Sequence, residues 1–243
     1  MRGADLGPAV KAARVQGVPE EALSRVLSLG ARYAVSPDHL ATIITIMTAA
    51  HKDELPVSTL AEKLEEGLAK RVAPVQIEAA LLDKVDDFRF VRELARGKSV
   101  VAGGDSGPTP SELARLAGVL EMGLSREDLA RFLESAPGAP WPMVVIGLEN
   151  MALLGQIRFN RGLAEQVVQA GLRGRGFDDS WGYLSRAVVA ARDRGNTDEA
   201  IAGAALQALN RKETIRGMMT LLGFTDRDLR RGPQAGADGV GED

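Results

Sequence analysis

Apolar residues recur along this chain at helical rather than strand intervals. Leu23, Val26, Leu27 and Gly30 follow an i, i+3, i+4, i+7 spacing, and Leu60, Leu64 and Leu68, then Ile77, Leu81, Val85 and Phe88, continue it. Alternation over a strand's length is rare; Val100 and Val101, beside a glycine cluster, suggest at most a short extended link. Polar punctuation supports the same elements. Thr109 and Glu112 stand three apart with Pro110 between them, a capping box with proline at the first helical position. Thr197 precedes Asp198 and Glu199, where the helix dipole favours acids, and Ser36, Ser125 and Thr225 are further N-cap candidates. Gly30, Gly97, Gly123, Gly195 and Gly223 are expected to stop helices. Trp141 lies between Pro140 and Pro142, and prolines on both sides predict an irregular loop there.

The signals repeat. The segments beginning at Gly17, Gly107 and Gly195 each open a helix, and second phrases begin at Ala34, Gly123 and Gly223. Leu23 and Arg25 match Leu113 and Arg115; beyond an insertion around 137–155, Gly67-Leu68 matches Gly171-Leu172 and Ile77 meets Trp181. The expected fold is therefore all-α, with tandem duplicated multi-helix units stacked as a short solenoid-like array; a compact helical bundle is the alternative. The expected boundaries are a leading helix in 1–16, unit one at 17–97, a Gly-rich linker at 98–106, unit two at 107–194, a truncated third unit at 195–231 and a disordered tail at 232–243. Neither the tetratricopeptide nor the ankyrin signature is present.

Composition narrows the chemistry. With aromatics at 4% and hydrophobic residues at 45%, the interior has to be aliphatic, which suits close-packed helices. The net charge of −3 gives no global attraction for nucleic acid. There is no cysteine, so disulfides, thiolate nucleophiles and cysteine zinc sites are excluded. The apolar stretches 40–50 and 143–148 are short of a membrane helix, and Met1–Val10 does not read as a signal peptide. By default the expected setting is soluble and cytoplasmic, or exported if a signal peptide has been removed.

Few motifs carry chemistry. Gly103-Gly104-Asp105-Ser106-Gly107-Pro108 resembles the phrase around the nucleophile of chymotrypsin-like serine proteases. That family requires β-barrels and an upstream histidine base, whereas this chain has a helical pattern and only His39 and His51. The segment reads instead as a flexible linker. His51, Asp53 and Glu54 are close in sequence, but neither their spacing nor a second nearby histidine gives the convergence of three groups that a metal needs. Adjacent acid pairs such as Asp86 with Asp87 point about 100° apart on a helix, the wrong arrangement for acid–base work. Arg89 and Glu93 form an expected i, i+4 pair.

The recurring cations are the better candidates. Lys70 and Arg71 follow one glycine-leucine phrase; Arg173 and Arg175 follow its counterpart. On equivalent loops they would form a cationic ridge suited to carboxylates and phosphates. Trp141 is a candidate anchor for a partner, and Trp181 is expected in the core. The functional expectation is a non-catalytic helical-repeat scaffold that binds a protein or peptide through Trp141, Lys70, Arg71, Arg173 and Arg175, without cofactor, metal or nucleic acid. Two alternatives stand beside it. One is an enzyme with a site between the units near 103–108. The other is a small-molecule or lipid carrier with a tunnel lined by Met143 to Leu154.

Overall fold

A computed structural model describes residues 5–102 and 107–225, with side chains described outside 98–102. Among the described residues there are twelve α-helices, one 3₁₀ turn and no strand, so the fold is all-α. The chain divides into two compact units, 1–121 and 122–243.

The first unit contains α1 (Gly7–Val15), α2 (Glu20–Arg32), α3 (Pro37–Lys52), α4 (Val57–Ala69), α5 (Pro74–Ala102) and α6 (Pro110–Glu121). Successive helices pack on one another, and most pack on the next but one: α1 on α3, α2 on α4, α3 on α5. The second unit contains α7 (Arg126–Ser135), α8 (Trp141–Gln156), α9 (Arg161–Gly174), a 3₁₀ turn (Asp179–Tyr183), α10 (Leu184–Asp193), α11 (Asp198–Asn210) and α12 (Ile215–Leu221). It repeats the habit, with α8 on α10, α9 on α11 and α10 on α12. Such packing fits a helical array or a bundle.

One connector joins most of these helices. Four residues link α1 to α2 (16–19), α2 to α3 (33–36), α3 to α4 (53–56), α4 to α5 (70–73), α6 to α7 (122–125), α8 to α9 (157–160), α10 to α11 (194–197) and α11 to α12 (211–214). Near the start of each, one residue enters the left-handed region: Gly17, Gly123 and Gly195, but also Ala34, Glu54, Arg71, Arg158 and Lys212. The amide after it turns back to an orphan carbonyl of the last turn, as Leu55 N does to Ala50 O at 3.0 Å and Phe159 N to Leu154 O at 2.9 Å. Val18, Leu55, Leu124 and Phe159 occupy that position and are buried, so the chain reverses around an apolar peg. Side-chain caps then start the next helix. Ser36 accepts from His39 N, Ser125 from Asp128 N and Thr197 from Ala200 N. At α6, Thr109 N donates to Glu112 Oε2 at 2.7 Å and Glu112 N to Thr109 Oγ1 at 3.2 Å, the reciprocal box.

Several expectations are corrected. Gly30 lies inside α2, not at its end; an added Cβ would overlap Leu40, so the glycine permits close helix contact and Ala34 makes the reversal. α5 runs through Gly97, Val100 and Val101 to Ala102, which removes the helix stop at Gly97 and the extended link. The rest of the Gly-rich linker, 103–106, and the segment 226–243 lie outside the described residues. Pro140 is the N-cap of α8 and Pro142 sits in its first turn, where missing amide donors are harmless, so Trp141 begins a helix rather than a loop. Arg89 pairs with Asp53 at 2.6 Å and Asp86 at 3.3 Å, while Glu93 is held by Arg96.

The core is aliphatic, as the composition requires, with Leu60, Leu64, Leu81 and Leu116 fully buried in the first unit and Val145, Leu148 and Val168 in the second. Burying each such side chain contributes about 1.5–3 kcal/mol. Trp181 is fully buried, its indole N–H donating to Glu213 O at 3.2 Å, and Ile77 is buried in the first unit.

Candidate binding groove in the first unit

An open groove of about 670 Å³ lies beside α2, α4 and the connector before α4. Its construction follows from the connector. Glu54 adopts φ +58°, which turns the chain so that Leu55 drops into the core and Pro56 starts α4. Along α4, Ser58, Ala61 and Glu62 then share a face by their spacing of three and four. Opposite, Pro19 starts α2 and places Glu21, Ala22 and Arg25 along the groove. Pro110, which opens α6, completes the wall.

The floor is apolar. Ala22, Leu55, Val57 and Ala61 line it and are buried. The rim carries Glu21, Glu54 and Glu62, all exposed, with His51 half-buried among them. Neighbouring carboxylates are engaged elsewhere: Glu20 binds Arg14 at 2.7 Å, and Glu65 binds Arg25. Among the described residues, Glu21, Glu54 and Glu62 have no cation within ion-pair distance. Arg25 lines the groove, but its guanidinium is held in the charged form first by the hydrogen bond it donates to Glu65, with burial opposing and Glu62 and Glu21 adding through-space attraction. The groove thus presents an apolar strip edged by three exposed carboxylates that make no ion pair among the described residues.

A second cleft in the same unit, of about 340 Å³, is polar. Glu121 there accepts from Lys63 at 3.1 Å and from Lys84. Burial alone would push the Glu121 carboxyl up, but these hydrogen bonds and charges outweigh it and hold it below the usual carboxylate range. Burial likewise opposes the Lys63 ammonium, which Glu121 and Glu66 nevertheless raise. In the second unit Asp128 and Glu165 form a closed network with Arg131 and Arg161. Arg131 and Arg161 draw the Glu165 carboxyl down, as they do Asp128 against its burial. In these two clusters Lys63, Glu121, Asp128 and Glu165 are each drawn further toward the charged form by their neighbours. The one buried polar side chain among the described residues is Asn150, whose Nδ2 donates to Trp181 O at 2.9 Å. Among the described residues no three His, Asp or Glu side chains converge as metal ligands would.

The cations named from the sequence fall into two places. Lys70 caps α4 and binds Glu66 at 2.5 Å; Arg71 beside it is at φ +59°. Arg173 lies in the last turn of α9, and Arg175, at φ +49°, donates to Gly138 O at 3.0 Å. The structure therefore joins Arg175 to the turn that leads into Trp141. Trp141 itself is only 9% exposed, so most of the indole is already covered by the protein. Among the described residues, the side chains of Arg71 and Arg173 make no hydrogen bond or ion pair. Sequence reasoning missed the groove because its glutamates have the spacing of any solvated helix face. The one available signal was Glu54-Leu55-Pro56 between two helices, a reversal without glycine.

No described helix is long and apolar enough to cross a membrane. Compared with protein-family models, curated proteins and solved structures, the chain matches none.

Proposed function

We propose that this protein is a non-catalytic helical-repeat scaffold, built by internal duplication, that binds a protein or peptide partner. The observation that carries the binding reading is the open groove of the first unit, with its apolar floor and free carboxylates. The apolar side chains of α8 pack against α7, α9 and α10, which weighs against a carrier channel along Met143 to Leu154.

Duplication draws support from one register. The offset of the Gly67-Leu68 match, 104, extends across 137–155, so that α3 pairs with α8 rather than with the helix after Gly123, and that segment is not an insertion. The shift takes 37–52 onto 141–156, the spans of α3 and α8, and the starts of α4 and α9 from 57 to 161. The same shift pairs the left-handed residues Glu54 with Arg158 and Arg71 with Arg175. It also pairs buried Leu40 with Val144, Ile44 with Leu148, Met47 with Met151, Leu55 with Phe159 and Leu68 with Leu172. A cavity of about 420 Å³ in the second unit, lined by Gly155, Phe159 and Arg161, falls at the positions of His51, Leu55 and Val57 in the first. On this reading Arg71 and Arg173 are peripheral contacts for carboxylates of the partner.

Panning a random twelve-residue peptide display library on the full chain tests the proposal. Enriched peptides that bind the purified protein, and that lose binding when Ser58→Trp obstructs the groove, are the expected result. Failure of any peptide to enrich over an unrelated helical protein contradicts it.

A further inference from the structure

We propose that the groove of the first unit selects a cationic segment, one that carries Lys or Arg on both sides of a small apolar stretch. The inference rests on the scaffold reading and adds the chemistry of the partner. Three carboxylates, Glu21 on α2, Glu54 in the connector and Glu62 on α4, come from three different stretches of chain and edge the same apolar floor. Each is exposed and lacks an ion-pair partner among the described residues, although cations are abundant nearby in sequence. Arg25, the one guanidinium in the lining, is bound to Glu65 and so is not the counter-charge that would close the groove.

The corresponding cavity of the second unit provides an internal contrast. Its carboxylate, Asp128, is bridged by Arg161 at 2.7 Å and by Arg131 at 2.7 Å, which neutralises the rim. At the connector, Arg158 stands where the first unit has Glu54. The carboxylates are therefore left without ion pairs at one groove and bridged by arginines at the other. A bare apolar groove would favour any hydrophobic segment. Carboxylates around the rim reject acidic segments and reward basic ones, which is how charge confers specificity at an interface. The floor is lined by Ala22 and Ala61, so the apolar part of the ligand lies close to helix backbone, and bulky aromatic anchors are not required.

The test compares the full chain with two charge-matched variants in the same display selection. One variant is Glu21→Gln/Glu54→Gln/Glu62→Gln. The control is Glu127→Gln/Glu134→Gln/Glu199→Gln, which removes three exposed carboxylates from the second unit. Peptides enriched on the unaltered chain are expected to be rich in Lys and Arg. One of them, synthesised with a fluorescein label, is expected to bind about 10- to 100-fold more weakly to the groove variant than to the control, since exposed ion pairs each contribute modestly. Its affinity for the unaltered chain falls as salt rises from about 50 to 300 mM. Enrichment of neutral or acidic peptides, or equal binding by both variants, overturns the cationic selection and leaves the scaffold reading standing. Absence of any enrichment removes both. Circular dichroism of both variants checks that the helices are intact.

Discussion

Exchanging glycine and alanine at three positions of the first unit separates backbone conformation from packing. Gly17 sits at φ +80° in the connector after α1, and an added Cβ there meets only His51 Nε2 at 3.6 Å, an ordinary contact. Ala34 sits at φ +52° in the connector after α2. Gly118 lies within α6, with open space where a Cβ would go. A left-handed conformation costs an L-residue about 1–2 kcal/mol, and alanine recovers about 0.5–1 kcal/mol of that by restricting the unfolded chain. Gly17→Ala is therefore expected to destabilise by about 1 kcal/mol, and Ala34→Gly to stabilise by about 0.5–1 kcal/mol. Gly118→Ala has the same chemistry as the first change in a right-handed helix, and should stabilise by about 0.8–1 kcal/mol. Urea unfolding followed by far-ultraviolet circular dichroism reads all three, with about 2–4 °C per kcal/mol in parallel thermal melts. If the two glycine-to-alanine changes share a sign, or Ala34→Gly destabilises, the connectors are not the left-handed reversals described above.

Further expectations concern packing, capping and pH. Gly67→Ala would put a Cβ 2.9 Å from Ile77 Cγ1 between α4 and α5, and should cost about 1–3 kcal/mol in urea unfolding. Thr109→Ala breaks the reciprocal cap of α6 and should cost about 1 kcal/mol by the same assay. Glu121, Asp128 and Glu165 titrate below their ordinary range when folded, so the stability they confer is complete above the unfolded carboxylate pKa of about 4 and lost as pH falls through the lower folded values. Lys63 is shifted up, so its contribution is complete below the unfolded lysine pKa of about 10.4 and lost above the raised folded value. Unfolding midpoints measured between pH 2 and 8 should therefore fall on the acid side, and Glu165→Gln should reduce that acid-side slope.

Local signals were legible wherever one residue type performs one backbone task. Thr109 with Glu112, Ser36, Ser125 and Thr197 all cap as the sequence implied, because a short hydroxyl before an acidic turn has few other uses. Gly123, Gly195 and Gly223 mark reversals for the same reason. Reversals at Ala34, Glu54, Arg71, Arg158 and Lys212 were hidden because none carries the glycine that marks the others; at Glu54 and Arg158 burial of the residue that follows, Leu55 or Phe159, offsets the strain that glycine would have relieved. Gly30 and Gly97 misled in the opposite direction. At Gly30 the missing side chain admits Leu40, a tertiary cause that no local rule sees. Trp141 misled because its flanking prolines fall in the first turn, the one part of a helix that tolerates them. The groove was least legible: Glu21, Glu54 and Glu62 are far enough apart in sequence that only the packing of α2 on α4 makes them neighbours.

Site-specific photocrosslinking addresses the binding surface most directly. A benzoylphenylalanine replaces Ser58, on the groove wall, or Leu82, 51% exposed on α5, and each protein is irradiated with a display-selected cationic peptide. A groove that receives the partner gives a crosslink from position 58 that vanishes with Glu21→Gln/Glu54→Gln/Glu62→Gln, and none from position 82. Crosslinking from position 82 alone, or from position 58 regardless of the three glutamates, contradicts the assignment.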